Sequence, residues 1–112
     1  VYKVMLDELE DNVLFEVDTY WVQTGGKDPA AVVKELGARA PLLHLKDGPC
    51  VKEEAMTAVG GGKLDFPAIV EAAGDNAEWL IVELDRCDTD MLAAIEASID
   101  YLTGEGLGRG RD

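Results

Sequence analysis

Asp18, His44 and Glu83 stand at the far ends of three short apolar runs, and this repeated placement is the first sign of a site in the chain. The runs are Val13-Leu14-Phe15-Glu16-Val17-Asp18-Thr19-Tyr20-Trp21, Pro41-Leu42-Leu43-His44-Leu45-Lys46-Asp47 and Trp79-Leu80-Ile81-Val82-Glu83-Leu84-Asp85. Apolar runs of this length, bounded by turn residues, read as buried parallel strands, and the intervals between them are long enough for crossover helices. Strands running side by side in one direction would bring the three side chains to one rim. Two carboxylates and an imidazole suit a borderline-hard divalent ion with open positions, and a carboxylate beside it suits proton transfer. Each residue also has a plain structural reading. Asp18 can end a strand and cap the turn after it, and His44, the only histidine, can be a hydrogen-bonded core residue. Glu83 in an apolar run is costly to bury without a metal or cation beside it.

The elements that must position these groups follow from the pattern around them. Val1, Val4, Met5 and Leu9 share one face opposite Asp7, Glu8 and Glu10, which reads as the last turns of a helix, and Asp11-Asn12 is a turn. Strand one is expected over 13–20, with Phe15, Val17 and Thr19 facing one way and Glu16 and Asp18 the other. Asp28-Pro29 starts a helix that runs to Leu36 and stops at Gly37. Strand two is expected over 41–46, followed by a long polar loop over 48–63 that ends in Gly60-Gly61-Gly62. That run lacks a following Lys-Ser/Thr, so it reads as a turn rather than a phosphate cradle. Asp65 caps a further helix with Ala68, Ile69, Ala72 and Ala73 on its buried face, and Gly74 ends it. Strand three is expected over 78–84. Asp88-Thr89-Asp90 then opens a last helix with Met91, Leu92, Ile95, Ile99 and Leu102 at helical spacing. The chain thus reads as one domain over 1–104 and a fraying tail over 105–112.

Bulk composition excludes several classes of partner. With 23 acidic against 10 basic residues the formal charge is -13, which opposes nucleic acid and anionic membrane surfaces. No stretch approaches the roughly 18 apolar residues needed to span a bilayer, and a cytoplasmic location is expected. Cys50 and Cys87 lack metal-type spacing and read as small fillers near strand ends. Three parallel strands with helices on one side leave two edges and an open inner face, an unstable arrangement for a lone domain.

At Glu16-Val17-Asp18-Thr19-Tyr20-Trp21, His44-Leu45-Lys46-Asp47, Gly60-Gly61-Gly62-Lys63-Leu64-Asp65-Phe66-Pro67 and Val82-Glu83-Leu84-Asp85, the chain resembles the sugar phosphate isomerase/epimerase family. These are xylose isomerase-like TIM barrels, among them inosose dehydratases and ketose 3-epimerases. The resemblance covers about residues 1–102 and implies an α/β fold, a partial TIM (β/α)8 barrel made of the last three βα units. Family members hold a divalent metal with a Glu, an Asp, a His and a second Glu from the last four strands. Asp18 matches the aspartate, His44 the histidine and Glu83 the second glutamate, while the first glutamate would precede residue 1. The resemblance implies Mn²⁺, Mg²⁺, Co²⁺ or Zn²⁺ as cofactor and Glu83 as the acid/base. Lys46 and Asp47 become partners of the metal ligands or of substrate hydroxyls, with a structural ion pair of Lys46 to Asp18 or Asp47 as the plainer reading, and Trp21 is packing, an aromatic wall for a sugar face, or both. Trp21 stands where some epimerases carry a substrate-contacting His, and Gly61 replaces an acidic residue common in the family. Glu16 is either a salt-bridge partner inside the barrel or part of the site.

The implied function is a metal-dependent sugar or sugar phosphate isomerase/epimerase that moves a proton next to a metal-bound carbonyl/hydroxyl pair, on a small-molecule sugar. The alternatives are an inosose dehydratase-like lyase, and a catalytically silent βα fragment. Such a fragment would form a homo-oligomer or pair with an N-terminal complementing segment.

Overall fold

Leu42–Leu45 forms the middle strand, β2, of a three-stranded parallel sheet flanked by β1 (Glu16–Asp18) and β3 (Trp79–Val82). The computed structural model describes residues 2–110; Val1, Arg111 and Asp112, and the expectations that fall on them, lie outside the described residues. In the register, Asp18 pairs with His44 and His44 with Ile81. Side chains alternate across a strand, so Leu43 and Leu45, both fully buried, face the helices while His44 faces the other way.

The helices are α1 (Tyr2–Glu8), α2 (Thr19–Thr24), α3 (Pro29–Leu36), α4 (Phe66–Ala73) and α5 (Met91–Gly104). Each strand is therefore followed by helix, the β/α order of a partial TIM barrel. Val33 and Leu36 of α3 and Phe66, Ile69 and Ala73 of α4 pack on Leu43 and Leu45 in one core. Asp28, Asp65 and Asp90 cap α3, α4 and α5, each accepting from an amide of the first turn at 3.0–3.1 Å. Gly37 and Gly74 end α3 and α4 with φ 53° at each, a conformation that glycine adopts without strain.

Three expectations differ from the structure. Strand one spans only Glu16–Asp18 of the expected 13–20, and it stops at Asp18 because the Asp18 carboxylate accepts from the Trp21 amide at 3.0 Å and starts α2. The β-branched and aromatic run Thr19-Tyr20-Trp21 reads as strand, but the cap overrides it. On α5 the buried residues are Ala94, Ser98 and Leu102, whereas Leu92 is 77% exposed and Ile95 and Ile99 are also open. The helix lies on its small residues because Ser98 Oγ accepts from the Val59 amide at 2.9 Å and donates to Ala94 O at 2.7 Å, which fastens the 48–63 loop to it. In the tail, the Leu107 and Gly108 amides return to Leu102 O at 2.9 and 3.3 Å, and Leu107 packs against the core.

Removing the α4 cap should cost the chain about 1 kcal/mol: Asp65→Ala is expected to lower the urea midpoint accordingly, and an unchanged midpoint would show that α4 does not depend on it.

Candidate active site

The register that pairs Asp18 with His44 sets the geometry at the carboxyl ends of the strands. Glu83 lies just beyond β3, where its amide donates to Leu45 O at 3.2 Å and so extends the ladder. His44 Nδ1 is 2.9 Å from Glu83 Oε2 and 3.7 Å from Asp18 Oδ2, while its Nε2 faces Glu16 Oε1. Asp18, His44 and Glu83 therefore converge, although 65 residues separate the first from the last. Glu16, on the same face as Asp18, is the partner that orients the imidazole.

Lys46 is the centre of this cluster. It is only 3% exposed, and its ammonium lies 2.9 Å from Asp18 Oδ2, 3.4 Å from Glu83 Oε1 and 3.0 and 3.1 Å from the two Asp85 oxygens. Burial works against its charge, but hydrogen bonds to Asp18 and Asp85, with their negative charges, outweigh it and push the Lys46 pKa above the ordinary value. At Asp85 burial acts upwards, and the hydrogen bond and charge of Lys46, helped by Glu83 and Trp21, hold the pKa below the usual carboxylate range. Trp21, half-buried, meets the Tyr20 ring edge-on at 5.3 Å and borders the cluster through Asp85.

Asp47, expected to meet substrate hydroxyls, is used elsewhere. It is fully buried, and its Oδ1 accepts from the Gly48 and Leu64 amides at 2.9 and 3.2 Å. Its Oδ2 accepts from Gly60 and Gly62, both at 2.9 Å. With four amides on two oxygens it has no capacity left for a ligand. The glycine run is thus an anion cradle after all, and the anion is internal. A Cβ on Gly62 would lie 2.2 Å from Asp47 Oδ1, and one on Gly60 2.6 Å from Tyr101 Cδ2, so both positions exclude side chains.

Asp85 is the site residue that sequence reasoning missed. Its signal was present in its place after Glu83, on the side to which a buried Lys46 must turn for counter-charge. Among the described residues, no group of His, Cys, Asp or Glu side chains stands arranged, as it is, to hold a metal ion. Asp18 Oδ2 lies between His44 Nδ1 and the Lys46 ammonium, and Glu83 gives one oxygen to each. The donor types, two carboxylates and an imidazole with a further carboxylate, Glu16, at its other ring nitrogen, are of the kind that suits a divalent ion. The site is open, with the Glu83 side chain 41% exposed. A cleft of about 440 Å³, lined by Met56, Thr57, Cys87, Thr89 and Ala94, lies between the 48–63 loop and the start of α5, and none of the cluster residues lines it.

No family model and no curated protein matches the sequence. Among solved structures, 96% of this chain is similar to a sugar phosphate isomerase/epimerase from Parabacteroides distasonis, at 26% identity and a TM-score of 0.79, and covers 37% of that chain. A xylose isomerase-like TIM barrel/4-hydroxyphenylpyruvate dioxygenase fusion protein is similar to 97% of this chain over 21% of its own, at a TM-score of 0.57; at 11% identity this is a likeness of fold. The chain thus spans well under half the length of either, and its 37% share of the first agrees with three βα units of an eight-unit barrel. Both likenesses are those that the four motifs point to.

Two outcomes follow for stability. Asp47→Ala strands buried amides and should cost at least about 3 kcal/mol in denaturant unfolding, with new protease cleavage within 48–63; a change under about 1 kcal/mol would contradict the cradle. The Lys46–Asp85 pair gives the pH profile two limbs. The raised Lys46 pKa contributes stability that is complete below its ordinary 10.5 and is lost as pH rises above it. The lowered Asp85 pKa contributes stability present above 3.8 and lost as pH falls below it. Burial raises the pKa of Tyr2, Tyr20, Tyr101 and Cys50 as well, and these add to the alkaline loss; Lys46→Met should therefore shrink the alkaline limb in a plot of unfolding midpoint against pH, and an unchanged limb would assign it wholly to those groups.

Proposed function

We propose that this chain, three βα units of a sugar phosphate isomerase/epimerase-type barrel, supplies the metal-binding and proton-transfer rim of a metal-dependent sugar or sugar phosphate isomerase/epimerase. The observation that carries the reading is the convergence of Asp18, His44 Nδ1 and Glu83 within 2.9–3.7 Å of His44. These side chains would hold the ion, one of Mn²⁺, Mg²⁺, Co²⁺ or Zn²⁺, with Glu16 fixing the imidazole from behind. When bound, such an ion supplies positive charge where a carbonyl and its neighbouring hydroxyl become anionic.

The chain's own groups do the rest. Glu83 is exposed enough for a small sugar to reach, and takes the proton from the carbon next to the carbonyl or returns it. Before an ion is bound, the Lys46 ammonium beside Glu83 Oε1 neutralises that carboxylate. Trp21 stands at the edge of the rim, where an aromatic face packs on the apolar face of a sugar ring. Loss of a hydroxyl after the same proton abstraction would give the dehydratase outcome of the family. A cytoplasmic setting agrees with the two free cysteines, Cys50 and Cys87, and among the described residues no helix is long and apolar enough to cross a membrane.

A second reading has its own observation. Trp79 is 65% exposed on the sheet face that carries His44, and Leu92 is 77% exposed on α5, apolar surface that favours self-association or a complementing N-terminal segment. Titration of the purified chain with Mn²⁺ in a calorimeter separates the two. The metal reading expects a single site, weakened in His44→Ala by more than the roughly 10–100-fold that loss of a ligand's own partner costs. Absence of binding, together with a sedimentation mass that climbs with concentration, would favour the silent fragment.

A further inference from the structure

The Lys46 ammonium and the proposed metal draw on the same oxygens. Lys46 Nζ lies 2.9 Å from Asp18 Oδ2 and 3.4 Å from Glu83 Oε1, and both carboxylates belong to the ligand set argued above. Its other partner, Asp85, lies outside that set and is the only one that grips the ammonium with both oxygens, at 3.0 and 3.1 Å. An ammonium is a compact point charge with three donors and no acceptor, so it can only compete with an incoming cation for carboxylate oxygens. Two cations a few ångströms apart in a partly buried site repel strongly. The ammonium is itself buried and must keep an anionic partner.

Resting on the metal reading, we infer that Lys46 is a resident counter-ion that a divalent cation displaces from Asp18 and Glu83, and that Asp85 is the anchor that keeps it. Lys46 neutralises the two ligand carboxylates while no ion is bound and holds them together. On loading, Asp18 and Glu83 turn from the ammonium to the ion, and the bidentate Asp85 contact retains the displaced charge. The Lys46–Asp85 pair therefore sets how tightly the rim takes a metal. Asp85 acts only through Lys46, as a positioning residue.

The test is Mn²⁺ titration by calorimetry of the 112-residue chain and of two variants, Lys46→Met and Asp85→Asn, each checked for native circular dichroism. Lys46→Met removes the competitor and should bind Mn²⁺ at least about tenfold tighter. Asp85→Asn removes the anchor, leaves Lys46 to Asp18 and Glu83, and should bind several-fold more weakly. Opposite signs distinguish this role from a structural one, in which both variants would bind more weakly. Should Lys46→Met fail to fold, Lys46→Gln carries the same expectation. Binding by Lys46→Met alone, with none by the parent chain, would also support the inference. His44-dependent binding by the parent that Lys46→Met leaves unchanged or weakens would overturn the inference and leave the metal reading standing. Tighter or unchanged binding by Asp85→Asn would overturn it through the anchor. No binding by any of the chains would overturn both.

Discussion

A buried ammonium requires anions around it, and that requirement ties the ends of all three strands together. Lys46 follows β2, and its partners come from the end of β1, Asp18, and from beyond β3, Glu83 and Asp85. A slip of one residue in either strand pairing would turn Asp18 or Glu83 to the helical face of the sheet and leave Lys46 buried beside unmatched apolar groups. The ion cluster and the Asp18–His44 register are thus one constraint seen from two sides. In a chain of formal charge -13, the scarce cation lies where carboxylates are closest, and this offsets repulsion that would otherwise drive the strand ends apart.

The next residue applies the same logic to the loop. Alternation across the strand sends Lys46 to the rim and Asp47 into the protein, where its carboxylate meets backbone amides in place of a cation. A buried carboxylate is tolerable when its lone pairs are filled, and the amides of Gly48, Gly60, Gly62 and Leu64 fill them. That arrangement closes the 48–63 loop on itself, and Ser98 then fastens the loop to α5 through the Val59 amide. One dipeptide, Lys46-Asp47, thus organises both the open side of the sheet and its longest connection. Glycine is obligatory at 62 because the chain must pass close enough for its amide to reach the carboxylate, not because the loop must bend freely.

Much of this was legible in the sequence, for identifiable reasons. Asp28-Pro29, Asp65-Phe66-Pro67 and Asp90 announce helix starts through a local chemistry that needs no tertiary information, and all three hold. The three parallel strands, and the rim on which Asp18, His44 and Glu83 meet, followed from apolar runs that end in polar groups. What failed depended on contacts distant in sequence. Strand one is a local exception: Asp18 was legible as a strand end able to cap the turn after it, and that hydrogen bond to the Trp21 amide, three residues on, makes Tyr20-Trp21 helix where the run reads as strand. The Asp47 cradle joins residues 13 to 17 positions apart through backbone amides, which leave no trace in side-chain pattern. Helical spacing located the stripe Leu92, Ile95 and Ile99 on α5, but spacing does not say which face finds a neighbour; here it is the small face of Ala94 and Ser98.

The two faces of the sheet explain both the stability of the chain and the exposure of its chemistry. Toward the helices, Leu43 and Leu45 are fully buried under α3 and α4, and this face supplies the core. On the other face Trp79 is 65% exposed beside half-buried Leu42 and Ile81, so that apolar ground surrounds a polar cluster over which the described residues place no further layer. In a closed barrel, residues at these positions fill the interior, and polar groups at the carboxyl ends of the strands collect at its mouth. Charged groups on an open sheet face are normally hydrated singly. Here His44 has a carboxylate at each ring nitrogen and Lys46 has three carboxylates around one ammonium, so the groups satisfy each other before any further layer covers them. The rim is therefore held in its present geometry by its own counter-charges, at and just beyond the ends of these three strands.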